Sequence, residues 1–414
     1  MKERVFPREK YLSKIRPFYK SDIIKVITGI RRCGKSYILK AIINELLADG
    51  VEPSRIIYVP LDRRGFKDID SVAKLEARIE SFIVDNGDYF IFIDEVQNVK
   101  GFERLILSYQ EEGYSVFITG SNSYLLSEEI STKLTGRYLK FETFTLDFLE
   151  YLDMKRFFGI TVGTTEDEFM TYMVEGGFPK ALEFPDAGAR HLYTKTIIRE
   201  IFEKDVKKRK KIRNILLFER VQSYLINNYA ASFSIANLYD ELKRQGVNVK
   251  QTTLRNYINE LQKAKIVYEC NRFDLKTKKS LKREQKYYLA DLSIFFAMNT
   301  DNRVSFGAAL ENLVFLYLKS NGYEISIGRI GNFECDFIAR NIDGGYLYIQ
   351  VAYTLQSADR DSTDKLKERE YRPFRTIRDG YPRYIISLDR LRDQQEGVLH
   401  INAIDLFLGK AKFR

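Results

Sequence analysis

The sequence predicts a multidomain α/β protein built on a parallel sheet, and three observations lead there. A buried strand over 22–29 runs through a glycine-flanked loop into an amphipathic helix; apolar strands then alternate with helices as far as residue 143; and the order helix, three strands, helix, strand appears over 307–388. Apolar strands alternating with helices imply a parallel sheet covered on both faces. At 414 residues the chain is long enough for two to four domains, each with its own core.

The first strand reads DIIKVITG and leads through Gly29-Ile30-Arg31-Arg32-Cys33-Gly34-Lys35-Ser36 into the helix that opens at Tyr37. GxxxxGK[ST] between a strand and a helix is the context of a phosphate-binding loop. The glycines let backbone N–H groups close around phosphate oxygens, and the helix N-terminus adds a favourable dipole. Residues 29–37 are therefore the expected nucleotide contacts, with Lys35 reaching the β and γ phosphates of ATP and Ser36 ligating Mg²⁺. Strand 55–62 and a helix at about 70–85 follow, and strand 89–94 ends in Asp94-Glu95. Asp94 would hold Mg²⁺ through water, and Glu95 would orient or deprotonate the attacking water, which marks a hydrolysing ATPase rather than a kinase. Helix 101–112 precedes strand 114–119, whose polar continuation places Ser121 or Asn122 to sense the γ-phosphate; Asn122 joins Lys35 and Glu95 in the expected catalytic set. The fifth strand begins at Arg137, either an arginine that reaches a neighbouring subunit's nucleotide and stabilises transition-state charge or an ordinary surface pair.

This chain order of motifs resembles the AAA+ branch of the P-loop ATPases. The resemblance implies a sheet order of 5-1-4-3-2, with strands numbered along the sequence, and homo-oligomeric assembly through the nucleotide site. More narrowly, GIRRCGKS, IFIDEVQNVKGFE, ITGSNSYLLSEEISTKLTGR and EGGFPKAL resemble a prokaryotic family of AAA-type ATPases. In that family the ATPase module is joined to a C-terminal domain of unknown function with a restriction-endonuclease-like core. The resemblance covers essentially the whole chain and is specific for ATP binding, much less so for what ATP drives. The resulting expectation is an AAA+ core over 1–145, a helical lid over 146–213, a winged helix over 214–295 and a nuclease-like domain over 296–414.

Within the lid, Gly176-Gly177 before Pro179 is either a turn facing the nucleotide or a plain interhelix turn. The next segment reads as helix, short helix, glycine-containing turn, second helix from about Thr252 and a hairpin, the pattern of a winged helix-turn-helix. Two basic runs flank or enter it: seven of the ten residues 204–213, and six of the eleven residues 276–286. Each run alone is equally well a solvated charged surface. Falling on one module, they point to DNA, with Lys207, Lys208, Lys250, Thr252, Arg255, Lys278, Lys279, Lys282 and Arg283 as candidate contacts.

The C-terminal order matches a PD-(D/E)XK nuclease core, which uses two acidic residues for a metal and a lysine to organise the attacking water. Matched by position, Glu311 is the helix acid, Asp336 the strand acid, Gln350 stands for the second acid and Ala352 for the lysine. The resembled family often carries this Gln-Val-x-Tyr form. Gln350 could still offer an oxygen to Mg²⁺, but no basic residue nearby on the same strand replaces the lysine, so the reading is a retained fold with cleavage lost.

Composition narrows the rest. With His191 and His400 the only histidines, zinc hydrolases and Ser-His-Asp enzymes are disfavoured. Three scattered cysteines suggest neither a disulfide framework nor a zinc knuckle, and the charged N-terminus and short apolar runs suggest neither signal peptide nor membrane span; the expectation is cytoplasmic. A net charge of +10 favours a polyanionic partner. The function read from these features is a Mg²⁺-dependent ATPase that binds or remodels DNA. A nucleotide-state switch holding a protein partner is the first alternative, and an ATP-gated nuclease the second.

Overall fold

The structure, a computed structural model, describes residues 4–120, 134, 136–207, 212, 214–277, 279–299, 305–331, 333–390 and 394–413; the side chains of Asp205, Lys207 and residues 279–284 lie outside that description. The chain divides into two compact units, one of residues 1–145 with 263–265, the other of 146–262 with 266–414.

The first unit holds strands β1 (Ile24–Gly29), β2 (Ile56–Pro60), β3 (Phe90–Asp94), β4 (Ser115–Thr119) and β5 (Tyr138–Thr143), and helices α1 (Glu9–Ile15), α2 (Lys35–Ala48), α3 (Val72–Glu80) and α4 (Glu103–Glu111). The five strands form one parallel sheet in the order β2-β3-β4-β1-β5, the expected 5-1-4-3-2 read from the opposite edge. Every residue of β1, β3 and β4 is buried because side chains alternate between two covered faces. Ile24, Val26, Ile91 and Ile118 pack on one face with Leu75 and Ile106 of α3 and α4. Ile27, Phe92 and Phe117 pack on the other with Leu12 of α1 and Ile38 of α2. Since all strands run the same way, Gly29, Asp94 and Thr119 fall together at the carboxyl edge, where open α/β sheets bind ligands.

Helix α1 lies in the N-terminal segment that sequence reading left as a charged stretch. Its apolar residues Tyr11, Leu12 and Ile15 are buried while Glu9 and Lys14 face out. Arg8 just before it is buried and donates to the carbonyls of Cys33 (2.9 Å), Phe144 (2.9 Å) and Thr145 (3.2 Å). One guanidinium thus ties the glycine-flanked loop to the end of β5.

The second unit opens with helices α5 (Phe148–Phe157), α6 (Thr165–Glu175) and α7 (Ala187–Ile201). Asp147 and Glu150 form a reciprocal capping box at the start of α5. Between α6 and α7, Gly176 and Gly177 are close-approach glycines. A Cβ at Gly176 would lie 1.8 Å from the Asp291 carboxylate, and one at Gly177 would lie 2.1 Å from the Leu146 carbonyl. Asp291 accepts from the Gly177 N–H at 2.9 Å.

Helix α8 (Ile215–Asn227), strand β6 (Ser232–Phe233), helices α9 (Ile235–Arg244) and α10 (Gln251–Lys263), and the hairpin β7 (Val267–Asp274) and β8 (Lys279–Leu289) come next. After α11 (Ser293–Met298) and α12 (Phe306–Ser320), strands β9 (Glu324–Ile330), β10 (Phe333–Arg340) and β11 (Tyr346–Val351) form an antiparallel meander. Helix α13 (Arg360–Tyr371) then returns the chain to β12 (Arg383–Ser387), parallel to β11. Pro373 cannot continue the hydrogen-bond ladder, so α13 ends and the chain tightens to a 3₁₀ turn over Arg372–Thr376. The order read from sequence stopped at β12, missing β13 (Gln394–Gln395), β14 (Val398–Asn402) and α14 (Ala403–Phe407).

The hairpin is not separate from the C-terminal strands. Strand β7 pairs antiparallel with β8 and parallel with β9, so one nine-stranded mixed sheet runs β13-β14-β12-β11-β10-β9-β7-β8-β6. Phe315 of α12 stacks on Tyr288 of β8 with ring centroids 4.1 Å apart, seating that helix against the hairpin.

Candidate functional site

The loop between β1 and α2 has the backbone a phosphate cradle requires. A Cβ at Gly29 would meet the Thr143 carbonyl at 2.2 Å, Gly34 has φ 103°, and Arg32 takes the left-handed region at φ 68°. Helix α2 begins at Lys35 with no side-chain cap, and the positive end of its dipole faces the loop, where an anion is favoured. Lys35 is buried and its ammonium donates to the carbonyls of Gly29 (3.1 Å) and Ile30 (3.3 Å), folding back over the loop. Cys33 is buried beneath the loop, and that burial pushes its thiol up, away from the reactive thiolate.

Asp94, at the end of β3, is 2% exposed. Burial pushes its carboxyl up, opposed by hydrogen bonds from Thr119 and Ser36 and reinforced by the nearby charges of Glu95 and Asp62. Tyr58 of β2 also donates to Asp94, at 3.2 Å. Ser36 and Asp94 are thus neighbours, as ligands of one divalent cation must be, and a cation is the natural partner of a buried carboxylate. Glu95 stands in the left-handed region at φ 58°, a conformation that costs a non-glycine residue about 1 kcal/mol. Its N–H donates to Thr119 Oγ1 at 3.0 Å, and its carboxylate accepts from the Gln97 amide.

Thr119 is the residue that sequence reading missed. Its buried hydroxyl donates to Asp94 and accepts from the Glu95 N–H, so one side chain at the end of β4 orients both acids at the end of β3. The signal was a threonine closing an apolar strand before Gly120; the reading looked two residues further, to Ser121 and Asn122, which lie outside the described residues.

Arg137 is at the other end of the sheet. It precedes Tyr138, which pairs with Ile24, and Gly29 is five residues further along β1, about 17 Å at roughly 3.3 Å per residue. That excludes Arg137 from the phosphate loop of its own chain. It forms an exposed ion pair with Glu111.

Among the candidate DNA contacts, Thr252 and Arg255 lie on the exposed face of α10 with Gln251, Asn256 and Asn259, opposite the buried Leu254, Tyr257, Ile258 and Leu261; Lys250 immediately precedes the helix and is exposed. Lys279, Lys282 and Arg283 are on β8 with side chains outside the description, Lys207 ends a π-helical turn with its side chain likewise outside, and Lys208 and Lys278 lie outside the described residues.

The nuclease-like positions are brought together, but with different partners from those expected. Glu311 of α12 and Asp336 of β10 face Lys286 of β8, whose ammonium lies 2.9 Å from Glu311, 2.8 Å from Glu334 and 3.7 Å from Asp336. Sequence reading counted Lys286 in the solvent-facing basic run and found no substitute for the lost lysine; the structure buries Lys286 among these carboxylates. Gln350 does not offer its oxygen outward. That oxygen accepts from the Asp336 N–H at 3.3 Å and its amide nitrogen donates to Glu370 at 3.0 Å. Among the described residues no group of three or more His, Cys, Asp or Glu side chains is arranged to hold a metal ion, and no helix is long and apolar enough to cross a membrane.

Residues 21–152 match the family described as AAA domain, and residues 166–304 match one described as a domain of unknown function (DUF8612), which ends before the strands β9–β12. An uncharacterized protein of Haemophilus influenzae is 27% identical over 389 residues, 94% of each chain. A Walker-type ATPase of Pyrococcus abyssi superposes with a TM-score of 0.49 at 16% identity, covering 71% of this chain and 96% of that one. An uncharacterized protein of Methanocaldococcus jannaschii is 31% identical over 361 residues, 84% of this chain and 78% of its own length. The chain belongs to the family of that archaeal protein and carries an AAA-type P-loop nucleotide-binding domain over residues 21–152.

Proposed function

We propose that the protein is a Mg²⁺-dependent AAA+ ATPase whose turnover acts on DNA. The observation that carries the ATPase reading is the meeting of Lys35, Ser36, Asp94, Thr119 and Glu95 at the carboxyl edge of one parallel sheet. Lys35 and the α2 N-terminus would bind the phosphates, and Ser36 and Asp94 would hold Mg²⁺, which neutralises charge on the β and γ phosphate oxygens. Glu95, fixed through Thr119 and Gln97, is the group that would accept a proton from the attacking water. Arg137, if it serves as the arginine finger, serves a neighbouring subunit's site; otherwise it is the surface pair with Glu111.

The DNA reading rests on α8, β6, α9, α10 and the β7–β8 hairpin, with β6 paired to β8, the element order of a winged helix. The exposed face of α10 carries Gln, Thr, Arg and Asn side chains, the types that read base edges in the major groove. The helices before it are read as the lid of the ATPase, and α12 with β9–β12 as a nuclease-like layer that docks DNA or a partner without cutting it.

Steady-state ATP hydrolysis, measured for the wild type and Glu95→Gln with no DNA, single strands, duplex and a four-way junction, tests both halves. Glu95→Gln is expected to bind ATP and scarcely hydrolyse it, and one DNA form is expected to stimulate the wild type. An unaltered rate in Glu95→Gln would refute the site. No stimulation by any form would refute the DNA reading and favour a switch that holds a protein partner.

A further inference from the structure

Where a metal-dependent nuclease core holds its divalent cation, we propose that this chain holds the ammonium of its own Lys286. The inference stands on the geometry of the carboxylate cluster and is independent of the ATPase and DNA readings. Lys286 is 4% exposed, and its ammonium faces Glu311, Glu334 and Asp336 at 2.9, 2.8 and 3.7 Å. A lysine has three donors and no acceptor; Glu311 and Glu334 lie within hydrogen-bond distance of the ammonium, and Asp336 adds a third negative charge at 3.7 Å.

The oxygens are committed as well. Glu311 Oε1 also accepts from the Tyr288 hydroxyl at 2.7 Å, Asp336 Oδ2 accepts from the Val351 N–H at 2.8 Å, and Glu334 Oε2 pairs with Arg272. Gln350, the position where the nuclease core carries its second acid, is held inward at both ends of its amide. A divalent ion would need these same oxygens within about 2.0–2.6 Å and would set two positive charges beside a buried ammonium. The residues therefore do not fit a metal alongside Lys286; the two cations are mutually exclusive.

The consequence lies in where the lysine comes from. Lys286 is on β8, paired across to Ser232 of β6 and Cys270 of β7, whereas its carboxylates come from α12 and β10. The cluster therefore fastens the hairpin to the C-terminal layer without any bound ion. Removing the lysine leaves the Glu311 and Asp336 carboxylates without their counter-charge, which is costly, and vacates a position between them that a divalent ion can fill, while Glu334 keeps Arg272.

The test is Mn²⁺ binding by the nucleotide-free full chain, followed by calorimetry, for the wild type, Asp336→Asn, Lys286→Met and the Lys286→Met/Asp336→Asn double variant. The phosphate-loop site is common to all four, so only binding that depends on Asp336 is read. The wild type is expected to show none; Lys286→Met is expected to gain one Mn²⁺ equivalent, lost again in the double variant. Asp336-dependent binding in the wild type would overturn the proposal, as would a folded Lys286→Met that gains no site. If Lys286→Met does not fold, Lys286→Met/Glu311→Gln decides. Removing the surplus charge is expected to restore the folded chain, and failure to do so overturns the counter-ion role.

Discussion

Replacing Thr119 by valine removes one hydroxyl and almost no volume, yet under the proposed function it should abolish most ATP turnover. The hydroxyl is fully buried and makes two hydrogen bonds, one to the Asp94 carboxylate and one from the Glu95 N–H. A hydrogen bond to a charged group contributes about 1.5–3 kcal/mol, and the Glu95 N–H loses its acceptor as well. If about 1.5–3 kcal/mol is missing at the transition state, kcat falls roughly 10- to 150-fold. Glu95 is held in the left-handed region by the same contact, so its carboxylate loses its fixed aim while Lys35 and the phosphate loop are untouched. Turnover by a coupled phosphate-release assay and affinity for a fluorescent ATP analogue separate the two effects: kcat should drop while Kd changes less than about threefold. Because Thr119 also favours the charged form of Asp94, the acidic limb of the kcat profile should move to higher pH. Thr119→Ser should retain most activity. A folded Thr119→Val with kcat within twofold of the wild type would show that the hydroxyl orients neither acid.

Three further outcomes follow from buried groups and surfaces. Lys25 is fully buried, hydrogen-bonded to the Ser21 carbonyl (2.8 Å) and the Ser115 hydroxyl (2.7 Å), and burial lowers its pKa from 10.5 to about 7. The unfolded chain therefore binds more protons between pH 7 and 10, so stability should rise across that window, by several kcal/mol in order of magnitude, and be flat below it; urea midpoints against pH should lose this slope in Lys25→Met. Gly176→Ala should cost more than about 3 kcal/mol, since its Cβ would lie 1.8 Å from Asp291, whereas Gly159→Ala, also at φ 73° but with nothing within 4 Å, should cost about 1 kcal/mol. Thermal unfolding of the two variants checks the contrast, and equal losses would refute it. Arg255→Ala should weaken duplex binding by about 1–3 kcal/mol where it reads a base edge, or reduce the slope of log affinity against log salt by about 1 where it holds a phosphate; unchanged affinity and slope would remove it from the DNA face.

The candidate nucleotide site could be read from sequence because its elements are local. Eight consecutive residues from Gly29 to Ser36 make the loop, and Asp94-Glu95 ends a strand recognisable by its apolar run. The order of the five strands came with the family resemblance, not from any pattern in the chain. What sequence could not give is what depends on distant partners. Thr119 matters through the end of a different strand, and nothing local distinguishes it from a strand-closing threonine. Lys286 sits in a basic run and takes its role only because β8 pairs with β7, and β7 with β9, bringing it opposite α12 and β10. The search for a basic group looked only along the strand of Gln350, whereas the sheet brings Lys286, about sixty positions earlier in the chain, among the carboxylates themselves.

The clamp made by Arg8 bears on how the protein can be dissected. The matched AAA domain begins at residue 21, and a fragment cut there would keep every phosphate-binding residue while discarding the guanidinium that holds the Cys33, Phe144 and Thr145 carbonyls. It would also strip Tyr11, Leu12 and Ile15 from the apolar face beneath α2, leaving a greasy surface and three carbonyls without their donor. An isolated nucleotide-binding fragment should therefore start upstream of Arg8, and a bulky fusion placed directly against that residue would act on the phosphate loop from behind.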